Sequence, residues 1–294
     1  MSGGRRAGRR SGGQRHGSPV VSAGRRAGRL LQFAALSVAA LFFAVPMLWL
    51  ALAPTKTSGQ MVGRMPFAFG SLPQLARTWH TLMAFDHGLF TTWMGNSVGY
   101  VLGGAAIALG VALPAGYALA VLQFVGRRFL LSVTLIVMLV PANALVLPLF
   151  LEMHDFHLLG SPVSVILPFG FFPFGVYLVY LYFGSTLAPD VLAAARLDGC
   201  SEWRTFLHIA LPLSAPVAGL VVLFNVVASW SNFFLPFVLL QQRQQYPIAL
   251  GLQVLQSVPA PEMALALLVS CAPVLAVFIF AQRAMTRGLL VLER

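Results

Sequence analysis

Six long apolar runs, separated by short polar segments, constrain the fold of this sequence more than any other feature. The runs cover residues 30–53, 96–123, 129–150, 162–183, 216–240 and 263–281. A helix needs about 20 apolar residues to cross the hydrocarbon core of a bilayer. Hydrophobic residues make up 58% of the chain and charged residues only 9%, against about 45–50% and about 25% in soluble domains. We therefore predict an all-α membrane protein with six transmembrane helices.

The distribution of positive charge fits the same interpretation. A net charge of +11 would by itself suggest a protein that binds nucleic acid. The arginines lie at the ends of the apolar runs, however, which favours the lipid bilayer as the partner and excludes nucleic acid. If the N-terminus is cytoplasmic, the basic residues on the outer side are only Lys56, Arg64, Arg77 and Arg243. Because cytoplasmic loops are enriched in Lys and Arg, we predict cytoplasmic N- and C-termini and a multi-pass protein of the inner (plasma) membrane.

The segments around the first two runs lead to further predictions. Residues 1–28 are rich in Arg, Gly and Ser and contain no acid, which predicts a disordered cytoplasmic tail before a transmembrane domain of residues 29–294. Residues 54–92 are mixed in polarity and are interpreted as an external loop with short interfacial helices. We predict that the side chains of Trp49, Trp79 and Trp93 lie at the level of the lipid headgroups. A face for close helix packing is predicted for Gly95, Gly99 and Gly103.

A polar island at residues 188–213 interrupts the apolar pattern between the fourth and fifth runs. It contains Arg196, Asp198, Glu202, Arg204 and His208, and so many polar groups do not belong in hydrocarbon. We predict two short helices that meet at Gly199, because glycine enters the left-handed backbone conformation without steric cost. Pro212 is expected near the start of the next helix, where its missing N–H costs little.

This island resembles the EAA loop of binding-protein-dependent ABC importer permeases, whose pattern is E-A-A-x3-G-x9-I-x-L-P. The residues that match its spacing are Ala194, Ala195, Gly199, Ile209, Leu211 and Pro212. The first position departs from the pattern, since Ala193 stands where the family has Glu. The resemblance implies a MetI-like permease bundle, in which the loop receives an ATPase on the cytoplasmic side. It assigns the coupling role to these six residues together with Arg196 and Asp198.

Four other segments resemble the carbohydrate-uptake branch of these permeases, of the maltose and glycerol-phosphate type. They are Asn96-Ser97, residues 228–233, residues 246–252 and the ending Gln282-Arg283 with Arg287-Gly288-Leu289. The resemblance implies transport of a sugar or a sugar-like solute. The partners that it implies are ATP-binding cassette ATPase subunits, a second permease chain and an external solute-binding protein.

The residues themselves give no sign of catalysis. The chain has no G-x-x-x-x-G-K-[S/T] phosphate loop, no G-x-S-x-G or H-E-x-x-H motif, and no metal-ligand spacing. We therefore expect a non-catalytic subunit without cofactor or metal, with ATP hydrolysis on a separate chain. The alternative is a secondary transporter or a membrane scaffold that acts without an ATPase. Against a secondary transporter, the apolar runs have no charged residue in mid-membrane and show no inverted repeat.

Polar residues in the fifth run are candidates for the lining of a transport path. Asn225, Ser229 and Asn232 fall at i, i+4 and i+7, which places them on one face of a helix. Two interpretations stay open, since such side chains either offer hydrogen bonds to a hydroxylated solute or bond to neighbouring helices. Trp230 likewise either stacks on a sugar ring or packs in the core.

Overall fold

The computed structural model describes the backbone of residues 19–63 and 67–292, and the side chains of residues 31–61, 63 and 67–282. The described part of the chain contains helices and no strand. The helices are α1 Pro19–Leu52, α2 Ser58–Gly63, α3 Leu72–Ala84, α4 Leu89–Val121, α5 Arg127–Met138, α6 Val146–Asp155, α7 Pro162–Gly170, α8 Pro173–Thr186, α9 Pro189–Leu197, α10 Glu202–Thr205, α11 Leu211–Leu213, α12 Ala215–Trp230, α13 Phe234–Leu239, α14 Ile248–Val254 and α15 Ala260–Leu292.

The apolar helices confirm the prediction of an all-α membrane protein. Among the described residues, four helical segments are long and apolar enough to span a bilayer. In two further pairs, the two helices are long and apolar enough to span a bilayer only when they are taken together. Each of these pairs is bent at a short break. The chain divides into two compact units, of which the first ends at Trp49 and the second contains every helix after α1.

The predicted third span, residues 129–150, is broken. Helix α5 ends at Met138, α6 begins at Val146, and the two axes differ by 100°. Pro141 lies in the break with an extended backbone, φ −59° and ψ 128°, and a 3₁₀ turn follows it over Ala142–Leu145. Proline cannot donate the backbone hydrogen bond of a helix, and its ring collides with the preceding turn. Hydropathy does not reveal such a break, since Asn143 is the one strongly polar residue within it.

The predicted fifth span, residues 216–240, is wrong in its extent. Helix α12 ends at Trp230, and α13 forms a separate short helix over Phe234–Leu239. Pro236 explains the interruption, because a continuous helix would need its N–H to bond to the carbonyl of Asn232. Pro212 is the second residue of α11 and so lies near a helix start, as predicted. The axis then bends by 74° between α11 and α12.

Other boundaries differ less. Helix α1 begins at Pro19, so residues 19–28 of the predicted disordered tail are helical, and residues 1–18 lie outside the described residues. The fourth run is broken once, between α7 and α8. Pro168 lies inside α7, whereas Pro173 starts α8.

Helix α4 contacts α7, α8 and α12, and its glycines set how closely they approach. Gly95 and Gly99, which were predicted to form the packing face, have nothing near the position of an added Cβ. At Gly103 the nearest atom to such a Cβ, in Ile166, is 3.0 Å away. The closest approaches involve Gly104 and Gly116, where an added Cβ would be 2.6 Å from Phe169 and 2.5 Å from Val179.

Trp93 corrects another prediction. Its side chain is buried against Leu82, Leu89 and Phe90 and lies in the core, not among lipid headgroups.

Candidate functional site

The polar loop, residues 188–213, folds as predicted into short helices that meet at Gly199. Gly199 has φ +76°, the left-handed conformation that favours glycine. Cys200 N donates to Ala195 O over 3.0 Å, and Gly199 N donates to Arg196 O over 3.1 Å. These two bonds form a Schellman motif, which satisfies the last carbonyls of α9. The turn is therefore fixed by the backbone rather than left flexible.

Polar contacts link the two sides of this turn. Ser201 caps α10, since its hydroxyl accepts a hydrogen bond from Arg204 N. Arg196 Nε lies 2.9 Å from Glu202 Oε1, and both side chains are about half exposed. An exposed ion pair contributes only about 0–1 kcal/mol, so it adds little to the stability of a turn that the backbone bonds already fix.

Aromatic contacts join the polar loop to the rest of the second unit. Phe206, in a π-helical turn after α10, is buried, with its ring centroid 5.3 Å from that of Tyr117 in α4. The Tyr117 ring also meets the edge of Phe183 in α8 at 5.8 Å. Tyr182 OH donates to Leu213 O over 2.7 Å. These contacts pack the polar loop directly against α4 and α8, and packed side chains of this kind leave little free volume.

The exposed side of the polar loop carries apolar side chains. Leu197 is 89% exposed and Trp203 is 61% exposed. Of the residues that match the EAA pattern, Ala195 is buried and Ile209 packs against the Tyr117 cluster. The exposed members are Ala194, Gly199, Leu211 and Pro212, together with Arg196 and Asp198. A polar segment that presents Leu and Trp to its surroundings has the composition of a protein-binding surface.

Asn225, Ser229 and Asn232 line one cavity of about 430 Å³, here named the Asn225 cavity. The prediction that all three share a helical face is wrong for Asn232, which lies after the end of α12. The Asn232 Oδ1 accepts a hydrogen bond from Leu235 N over 3.2 Å and so helps to start α13. The same cavity is lined by the rings of Phe171, Phe172 and Phe174.

Asn225 bonds to a neighbouring helix and also leaves one polar atom without a partner. Its Nδ2 donates to Phe169 O over 2.8 Å and so bonds to the end of α7. Its Oδ1 is buried and has no hydrogen-bond partner among the residues that the structure describes. An unpaired buried acceptor costs about 1–3 kcal/mol. A solute hydroxyl that donates to this oxygen would recover part of that cost.

Trp230 is not part of this cavity. Its Nε1 donates to Ser270 O over 3.1 Å, and its ring lines a separate cavity beside Cys271. The structure therefore places Trp230 in the contact between α12 and α15.

Two polar residues that the sequence did not single out extend the Asn225 cavity. An adjoining cavity of about 400 Å³ shares Phe169, Phe171 and Asn232 with it, and adds Asn143 and Glu152. Both residues are placed there by the break between α5 and α6. The signal that could have found them is Pro141, because a proline in mid-span predicts a break in the helix and polar groups near such a break face protein or water rather than lipid.

The chain is similar to known membrane transport proteins. Residues 112–291 match a family described as binding-protein-dependent transport system inner membrane component. The arabinooligosaccharides transport system permease protein AraQ of Bacillus subtilis is 31% identical over 255 residues, covering 85% of this chain and 90% of that protein. The diacetylchitobiose uptake system permease protein NgcG of Streptomyces coelicolor is 30% identical over 264 residues, covering 86% of each chain.

A solved structure has the same fold. It is a chain from the crystal structure of a bacterial ABC transporter involved in the import of the acidic polysaccharide alginate. The two chains superpose with a TM-score of 0.76 at 21% identity, over 88% of this chain and 96% of the other.

Proposed function

Because the chain belongs to the family of binding-protein-dependent transport system inner membrane components, we propose that it is the permease subunit through which an ATP-driven importer moves a sugar across the inner membrane. The observation that carries the proposal is the polar loop, which has a backbone-fixed turn at Gly199 and an exposed apolar tip, and which packs onto α4 and α8. The bundle itself offers a largely apolar, aromatic-lined cavity that contains three polar side chains.

We propose that the polar loop is the docking site of the ATPase. Leu197 and Trp203 provide the apolar contacts, while Arg196 and Asp198 provide polar contacts at the rim. When the ATPases close on nucleotide, the loop moves as a rigid unit, since the Schellman turn and the Phe206 contacts hold it. Tyr117 and Phe183 transmit this movement to α4 and α8, and the bundle changes between inward- and outward-open states. This proposal includes cytoplasmic termini, as the charge distribution predicts.

We propose that the Asn225 cavity belongs to the transport path. A sugar offers hydroxyl groups and weakly polar C–H faces. Asn225 Oδ1 and the Ser229 hydroxyl are suited to the hydroxyl groups, while Phe171 and Phe172 offer rings against which a C–H face can pack. The relatives support a carbohydrate substrate, because their names refer to arabinooligosaccharides and diacetylchitobiose. A second permease chain and an external solute-binding protein complete the proposed transporter.

Uptake by proteoliposomes tests these proposals. The complete transporter, purified through a tag on this chain, is expected to take up labelled oligosaccharide only with ATP and the binding protein. Ser229→Leu should lower uptake by about tenfold, equivalent to about 1.4 kcal/mol in the barrier, because the larger side chain fills the Asn225 cavity. ATP hydrolysis stimulated by the binding protein should persist in this variant.

Ser231→Leu is the matched control, since Ser231 lies two residues away and lines the cavity beside Trp230 instead. Equal loss of uptake in both variants would contradict the path assignment. Uptake that needs no ATP would contradict the ATPase coupling and favour a secondary transporter.

A further inference from the structure

Three side chains of α4 bond to the connection between α13 and α14, residues 240–247, which is here named the α13–α14 connection, and a fourth bonds to the first residue of α14. Trp93 Nε1 donates to Arg243 O over 2.6 Å, and Tyr100 OH donates to Gln245 O over 2.8 Å. Asn96 Nδ2 donates to both Gln244 O and Tyr246 O, at 2.6 and 3.1 Å. Ser97 Oγ accepts from Ile248 N over 2.6 Å. Consecutive carbonyls of the connection are thus bonded to a single helix.

These bonds replace the regular pairing that the connection lacks. Only Arg243–Gln245 forms a short 3₁₀ turn, and Gln242, Tyr246 and Pro247 on either side are extended. Such a segment leaves backbone carbonyls that need partners. Gly251 in α14 adds a close contact, since a Cβ there would be 2.3 Å from the Trp93 ring. The connection and α14 therefore lie directly on α4.

The other end of α4 contacts the polar loop. Tyr117, which contacts Phe206 of that loop, is separated from Asn96 by about 30 Å along the axis at 1.5 Å per residue. This length equals the thickness of the hydrocarbon core, also about 30 Å. One helix therefore links the two segments, and under the proposed topology they lie on opposite membrane faces.

We propose that Asn96 and Ser97 are positioning residues, which fix the α13–α14 connection to α4 so that it moves together with the polar loop. This proposal rests on the proposed function. It implies that the external binding protein contacts the connection and that α4 transmits the effect of this contact to the polar loop and the ATPase. The exposed surface of the connection includes Gln242, Arg243 and Gln244. Its chemistry, amide groups with one guanidinium, suits a polar protein surface rather than lipid.

Asn96→Ala in the complete transporter tests this proposal. Stimulation of ATP hydrolysis by solute-loaded binding protein should be lost, because two hydrogen bonds of the connection disappear. Basal ATP hydrolysis should stay unchanged, because the contacts of Tyr117 with the polar loop remain. Ser132→Ala is the control, since it removes a hydroxyl that bonds only within α5. Unchanged stimulation, or an equal fall of basal and stimulated rates, would overturn the proposal.

A disulfide provides a second test, because it makes the contact between α4 and α14 permanent. Trp93 Cγ lies 2.9 Å from the position of a Gly251 Cβ, so cysteines at both positions lie within reach of a disulfide. In a chain with Cys200→Ser and Cys271→Ser, oxidised Trp93→Cys/Gly251→Cys should retain uptake, because α4 and α14 never separate. Loss of uptake on oxidation and its recovery on reduction would overturn the proposal.

Wild-type behaviour separates this proposal from the proposed function. A wild-type transporter without ATP-dependent uptake would contradict the proposed function itself. If the wild type is active, the two variants decide only whether the connection is fixed to α4.

Discussion

Gly199→Asp is expected to abolish uptake while the protein still reaches the membrane in normal amount. The substitution places a charged side chain on the exposed turn between Arg196 and Glu202, next to Asp198. The added carboxylate competes for Arg196 and brings an unpaired charge into the surface that we assign to ATPase docking, where burial of such a charge is costly. Uptake and an immunoblot of the membrane fraction measure the two effects.

Two controls separate charge from backbone strain. Gly199→Asn has almost the same shape as Asp, and both residues tolerate the left-handed conformation comparatively well, so it should retain most uptake. Gly160→Asp introduces the same charge at another left-handed glycine, with φ +73° and no atom near its Cβ position, in the loop between α6 and α7. Normal uptake in Gly199→Asp, or equal loss in all three variants, would count against docking at Gly199.

Gly116→Ala is expected to lower the stability of the whole bundle. The new Cβ would lie 2.5 Å from Val179 and 2.9 Å from the backbone nitrogen of Tyr180. Since that nitrogen belongs to α8, the helices must move apart, and overpacking of this kind costs about 1–3 kcal/mol. The thermal midpoint of the purified chain, followed by size-exclusion chromatography after heating, should fall.

Gly110→Ala is the control on the same helix. Nothing lies within 4 Å of its Cβ position, and alanine is favoured over glycine in a helix by about 1 kcal/mol. Its midpoint should stay the same or rise. Equal midpoints for both variants would show that α4 and α8 do not pack as closely as described.

Features that depend only on residues close together in the chain could be predicted from the sequence. Apolar length identified the helical spans, because every backbone group in hydrocarbon must be satisfied within a helix. The polar loop was recognisable since charged residues cannot remain in the bilayer, and Gly199 was predicted as the turn on conformational grounds alone. The closing bonds to Ala195 and Arg196 follow directly from that turn.

Features that depend on tertiary contact were missed or misplaced. Asn232 was assigned to a helical face because periodicity continues across a break that Pro236 imposes. The packing glycines were taken from a four-residue repeat, whereas Gly104 and Gly116 are close to α7 and α8 only because those helices cross α4 there. The bonds of Trp93 and Asn96 join residues about 150 positions apart, so no local pattern reveals them.

The measurement that tests the central claim most directly is photo-crosslinking from the tip of the polar loop. A benzophenone amino acid in place of Leu197, which is 89% exposed, should capture the ATPase subunit in membranes that contain the complete transporter. The same group in place of Phe156, which is 69% exposed at the end of α6, should not capture it. Capture from position 156, or none from position 197 in an active transporter, would contradict the assignment of the polar loop as the ATPase docking site.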